Sequence, residues 1–516
     1  MAQEPKKNAL LNVGMSVVQV GLAGFFGVFL TSMLVKRLGV EYYGFVPLFG
    51  SVGMYLGLLT VLFSSSIGRF TAMSFYKGDI EDASRYYTSG FIALASLSLL
   101  GFAVVLIVSR FLDVFFDIPD GALAQVRIYF ITLSAGVLVS SVTATFNVAF
   151  FIKHSFFLGD IILVVRKAAQ ILFIILMLHR LSLPVVGLSN ILVACLGIVL
   201  AWGVSRKLMP ELRINLKQFR FSYCKEMAEM GISVLVNQLG GILYFQSSLM
   251  IVNITLGAGE AGRFGIVFQA MMLAQMFSMI VLKLFGPVVV EQVSNGHMEI
   301  IKGHLQRFTK LITIGNGLFV ALVSGFAKPL LSLWVGEEFV DLQKLLVIMG
   351  FATILMYSPG LVFNVLKAMN KIKVPSRVTL IMGAINIALT LFLIKYTGLG
   401  IYGVAISVFV CTCIKAVLFN AIYLGKLIDM NPMRVWLPLA TGLIPCVIFV
   451  IATNYFCLLY NIDSVLKLFV CGGGFALLYC FVSFYFFIDR KDRVLLLEIL
   501  KFDKMLSPAM CKLILK

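Results

Sequence analysis

Residues 205 to 227 read SRKLMPELRINLKQFRFSYCKEM, the longest polar connection in a chain of 516 residues that is otherwise dominated by apolar runs. Six of its 23 residues are Lys or Arg. Each such charge at a helix centre costs about 2.5–3.5 kcal/mol to insert in a bilayer. The stretch therefore reads as a bridge at a membrane surface, and what lies on either side of it decides the fold.

On both sides the pattern is the same. Sixty per cent of the chain is hydrophobic and only 13% is charged, about half the charge of an ordinary soluble domain. Apolar runs of about 20 residues recur, each long enough to cross a hydrocarbon layer of about 30 Å. Their spacing predicts fourteen helices, over 10–35, 46–68, 87–110, 124–150, 157–178 and 185–204 before the bridge and 228–256, 264–288, 308–331, 342–366, 375–396, 401–425, 435–459 and 464–488 after it. The fold class is an all-α polytopic membrane protein. The expected organisation is a first bundle over 1–215, a second over 216–425, a helix pair over 426–488, and a basic amphipathic tail over 489–516 that lies on the membrane face. The first run, Ala9 to Val35, is too long for the core of a signal peptide and is expected to stay as a helix.

The net charge of +18 would suggest nucleic acid in a soluble protein, but here it sets topology. With the N-terminus inside, 28 Lys and Arg residues fall on the inner side and 10 on the outer, which places both termini in the cytoplasm. The nine cysteines show no paired spacing and read as small apolar fillers. No metal-ligating or nucleophilic constellation emerges, so neither a cofactor nor an enzyme is expected.

Four cations remain, and they lie inside the apolar runs: Arg166 and Lys167 in ILVVRKAAQILFIILML (162–178), Lys283, and Lys415 in FVCTCIKAVLF (409–419). Arg69 stands at the inner mouth of the second helix. Arg166 and Lys167 are expected about 10 Å from the cytoplasmic end of their helix, at 1.5 Å per residue. No Asp or Glu occupies the middle of an expected helix. Such cations must face protein or water, or snorkel to the interface. Lined up along a hydrated cavity, they would await an anion carried by the substrate. Gln170, Asn237, Gln246, Asn253, Asn316 and Asn386 could bond a glycan, although intramembrane amides more often join helices to each other. Leu38, Gly39 and Gly44 are echoed by Leu256, Gly257 and Gly262, the same LG-x4-G spacing displaced by 218 residues, as in an internal repeat.

Taken with the helix count, RLGVEYYGFVPLF (37–49), SSSIGRF (64–70) and YTGLGIYGVAIS (396–407) resemble the polysaccharide-transporter branch, with its Wzx-type O-antigen flippases, of the multidrug/oligosaccharidyl-lipid/polysaccharide (MOP) exporter superfamily. The resemblance implies two bundles around a central cavity, a MATE-like fold, and alternating access across a bacterial inner membrane. It implies an undecaprenyl-diphosphate-linked oligosaccharide as cargo for O-antigen, capsule or exopolysaccharide, and an ion gradient of H+ or Na+ as drive. Implied partners are membrane lipids, a polysaccharide polymerase and the chain-length machinery, with no nucleic acid. A basic lumen suits a diphosphate, because Arg and Lys neutralise it out of bulk water. The substrate-binding residues would be Arg69, Arg166, Lys167, Lys283 and Lys415. Three other readings compete. A drug/cation antiporter of this fold would carry intramembrane carboxylates. A lipid II flippase would carry a cationic first helix, where this chain has Asn12 and Gln19. A membrane glycan polymerase would need catalytic acids or a large outer loop.

Overall fold

A computed structural model describes residues 4–153, 155–294, 298–369, 371–489 and 492–493; the expected tail falls largely outside them. The described chain is helical, with no strand. In order the long helices are α1 (Glu4–Leu38), α2 (Val40–Tyr76), α3 (Ile80–Val108), α4 (Leu123–Ile152), α5 (Phe156–Leu176), α6 (Leu183–Leu208), α7 (Phe221–Phe245, continued by Ser247–Leu256) and α8 (Ala258–Ser294). Then follow α9 (Met298–Gly325), α10 (Gln343–Tyr357, continued by Gly360–Ala368), α11 (Lys373–Thr397), α12 (Ile401–Thr412, continued through Cys413–Phe419 and Asn420–Leu427), α13 (Met433–Leu459) and α14 (Val465–Val482, continued by Ser483–Phe487).

Twelve spans in the described helices are long and apolar enough to cross a membrane. The other two long helices, α5 with Asp160, Arg166 and Lys167 in its 21 residues and α8 with 37 residues, have the length to do so. Surface chemistry agrees with length. Along α14, Leu466, Phe469 and Leu477 are each more than 70% exposed, an arrangement water would not tolerate and hydrocarbon would. The protein is a multi-pass membrane protein.

Helix 2 starts earlier than its apolar run suggests, at Val40, which leaves Pro47 inside the helix rather than at its end. The turn there is steadied by Ser51, whose hydroxyl donates to the Pro47 carbonyl (3.0 Å) and lies equally close to Gln246 Oε1.

Internal contacts group the helices into two compact units. The first holds α1 to α7, the start of α8 as far as Ile266, and most of α11; the second holds the rest of α8, then α9, α10, α12, α13 and α14. In the first unit the most extensive packing is between α4 and α6, and small residues permit it: a Cβ on Gly136 would lie 3.0 Å from the Asn190 carbonyl, and one on Gly187 would strike the Thr132 hydroxyl. In the second unit α9 and α13 pack in the same way, with Gly442 against Thr313 and Gly325 against Thr453.

The two LG-x4-G turns adopt the same backbone. Gly39 has φ 83°, ψ 162° and Gly257 φ 93°, ψ 171°, a region that only glycine enters at little cost. Within the first unit the two turns also meet. A Cβ on Gly44 would lie 2.8 Å from the Gly262 nitrogen, and one on Gly262 would overlap the Val40 carbonyl.

Candidate functional site

Helix α5 places Arg166 ten residues from each end, about 15 Å at 1.5 Å per residue. It is deeper than the expected 10 Å from the cytoplasmic end, which takes about seven residues at 1.5 Å each, where the helix from Phe156 supplies ten. The side chain does not reach for the interface. Its stem lies across Gly197 of α6, where a Cβ would come within 2.6 Å of Cδ and 2.8 Å of Nε. The guanidinium then reaches α4, where Nη2 donates to Ser140 Oγ at 2.8 Å.

Beside it is a small cleft of about 340 Å³ lined by Leu133, Gly136, Val137, Ser140, Ser141, Arg166 and Asn190. Lys167, exposed on the neighbouring face, turns its amine back to Gln170 Oε1 (2.9 Å). The buried Gln170 amide donates to Ser189 Oγ (3.3 Å) and Asn190 Oδ1 (3.2 Å). Asn190 and Ser189 are fixed in turn on the Val186 carbonyl.

Two adjacent cations on α5 are thus held by hydroxyl and amide oxygens alone; no carboxylate pairs with either among the described residues. Neutral oxygens orient a guanidinium without cancelling its charge, and the fork keeps donors to spare for an incoming anion. Chemically, such a cluster can receive an anion.

The other expected site residues lie elsewhere. Arg69 is exposed on α2, with Nη1 3.5 Å from Met230 Sδ of α7, and no contact links it to Arg166. Lys283 belongs to α8, and its side chain is outside the described part of the structure. Lys415 is half-buried in the second unit, within a π-helical turn over Cys413–Phe419 in which the Asn420 amide bonds the Lys415 carbonyl. Such turns recur at functional positions. The Trp436 indole of α13 donates to the nearby Val417 carbonyl at 2.9 Å. Ser140, Ser189 and Asn190 were not singled out by sequence. Several of the intramembrane amides do join elements of the fold: Asn386 to the Tyr244 carbonyl, Asn237 to Ser376 and Asn316 to Ser358, while Asn253 holds the backbone of the loop at Asp117.

The architecture matches known transporters. An inward-facing multidrug resistance MATE family transporter of the MOP superfamily superposes with a TM-score of 0.65 at 15% identity, covering 82% of this chain and 99% of that one. The lipid II flippase MurJ, in an inward closed conformation, gives 0.64 at 14% identity, covering 91% and 98%. The chain has the fold of MOP superfamily transporters and flippases. In sequence it is 27% identical over 493 residues to EpsK, an uncharacterized membrane protein of Bacillus subtilis (strain 168), with 95% of this chain and 97% of that protein covered. No family model matches.

Proposed function

We propose that this protein is a flippase of the polysaccharide branch of the MOP superfamily. It turns an undecaprenyl-diphosphate-linked oligosaccharide across a bacterial inner membrane by alternating access, with both termini cytoplasmic. Arg166 carries this reading: a guanidinium at the middle of a membrane helix, oriented by Ser140 and unpaired with any carboxylate among the described residues. A permanent partner would be the cheaper arrangement. The cargo's diphosphate supplies the missing charge, and in this reading Arg69, Lys167, Lys283 and Lys415 neutralise it along its path. A gradient of H+ or Na+ resets the cycle, and a polymerase with its chain-length machinery consumes the product.

A lipid II flippase is the second reading, favoured by the 91% of the chain that superposes on MurJ. Both readings share the diphosphate and differ in the sugar. The purified protein in proteoliposomes should translocate a fluorescent undecaprenyl-diphosphate oligosaccharide, and Arg166→Gln should not. Equal flipping of lipid II would favour the second reading. Translocation of a cationic dye, unaffected by that variant, would refute both.

A further inference from the structure

The second unit contains another cationic cleft, of about 840 Å³, where the start of α9 meets the start of α13. Arg307 and Lys310, one turn apart on α9, face Arg434 of α13. Two carboxylates from the turn after α14 enter the same space. Lys310 Nζ lies 3.0 Å from Asp489 Oδ2 and 3.4 Å from Asp492 Oδ2, and Arg307 Nε is 3.7 Å from Asp492 Oδ1.

The two acids are held differently. The Asp492 side chain is 5% exposed, and the turn beside it is pinned by Arg493, which donates to the carbonyls of Phe484 (3.0 Å) and Ile488 (3.1 Å). Asp489 is 79% exposed, so its carboxylate can swing away at little cost. Arg434 is exposed, and the carboxylate that feels its charge, Glu299, is already paired with Lys302 at 2.7 Å. With three cations against two acids, the cleft keeps a net positive charge that one further anion would balance.

Its wall is apolar and faces outward: Met433 and Leu437 are 53% and 60% exposed on the same helix. A cationic cleft at the end of a membrane helix, rimmed by apolar side chains, sits where headgroups meet hydrocarbon. We infer that it binds the phosphate of an anionic membrane phospholipid, which lies between Lys310 and Arg434 and displaces Asp489, with its acyl chains against Met433 and Leu437. This site is separate from the Arg166 cluster and does not depend on the identity of the cargo.

The test uses the purified full chain in neutral detergent, followed by thermal unfolding and native mass spectrometry during titration with phosphatidylglycerol, phosphatidylcholine or inorganic phosphate. Phosphatidylglycerol should raise the unfolding temperature and remain bound one to one. Arg434→Gln should weaken it about fivefold, the worth of one cation near an anionic surface, and Asp489→Asn should tighten it. Equal protection by phosphatidylcholine, full protection by inorganic phosphate alone, or indifference to Arg434→Gln would each overturn the proposal. Should Arg434→Gln disturb folding, Asp489→Asn still decides: failure to tighten binding counts against a displaceable carboxylate.

Discussion

Arg166 and Lys310 are both cations on membrane helices, but they are neutralised in opposite ways. Lys310 meets two carboxylates within 3.4 Å. Arg166 meets a serine, and its neighbour Lys167 a glutamine. Both arrangements satisfy hydrogen bonding, and only the first satisfies charge. An uncompensated charge in low dielectric is costly, and among the described residues acids stand beside Lys310 and none beside Arg166; this contrast is what supports the proposed role of Arg166 in meeting a charged cargo.

The largest effect should come from removing that charge. Hydrogen bonds to charged groups are worth about 1.5–3 kcal/mol, so Arg166→Gln should lower translocation of the diphosphate-linked cargo about 10- to 100-fold, since 1.4 kcal/mol is a factor of ten. Insertion and yield should stay normal, because Gln removes the charge without adding bulk between α4, α5 and α6. Full transport by this variant in proteoliposomes would end the comparison.

Giving Arg166 the carboxylate it lacks should act next most strongly. Ser140→Asp would stand within reach of the guanidinium and compete with the cargo as an attached ligand. Transport should fall about tenfold, as for a loss near 1.4 kcal/mol, while the thermal unfolding temperature holds or rises. If Ser140→Asp transports normally, Arg166 has no need of an empty anion place.

The converse change, in the second unit, should be read in stability. Asp492→Asn keeps the shape and removes the carboxylate that Lys310 and Arg307 share. Leaving a buried polar partner unsatisfied costs about 1–3 kcal/mol, seen as a lower unfolding temperature in detergent that added salt partly restores. An unchanged unfolding temperature would mean that these ion pairs are as weak as ordinary surface ones.

How far the sequence could foresee this depends on the range of the interaction. Apolar runs report each helix locally, so the crossings were legible, and so were the repeat-related turns at Gly39 and Gly257, whose backbone needs glycine. The depth of Arg166 was misjudged because hydropathy blurs helix ends: Phe151 and Phe156 are equally apolar on either side of the break where α5 begins. Its partners were invisible for a different reason. Ser140, Ser189 and Asn190 come from two other helices, and their meeting with α5 is set by how Gly136 and Gly187 let α4 and α6 close up. Nothing in the run around Arg166 encodes that. Pro47 shows the same limit, since it reads as a helix end and is carried inside one.

The finest test concerns the slot that aims Arg166. Gly197→Ala adds one methyl group at 2.6 Å from Arg166 Cδ, too close to keep and yet against a flexible side chain that can turn aside. An off-rotamer χ angle costs about 0.5–1.5 kcal/mol, so the variant should fold and reach the membrane normally. Transport should drop only about two- to fivefold, toward the low end of that energy range. The effect should vanish in an Arg166→Ala background, because a side chain that ends at Cβ no longer crosses the glycine. An equal loss in both backgrounds would show that Gly197 serves helix packing alone, and that the direction of the guanidinium is set elsewhere.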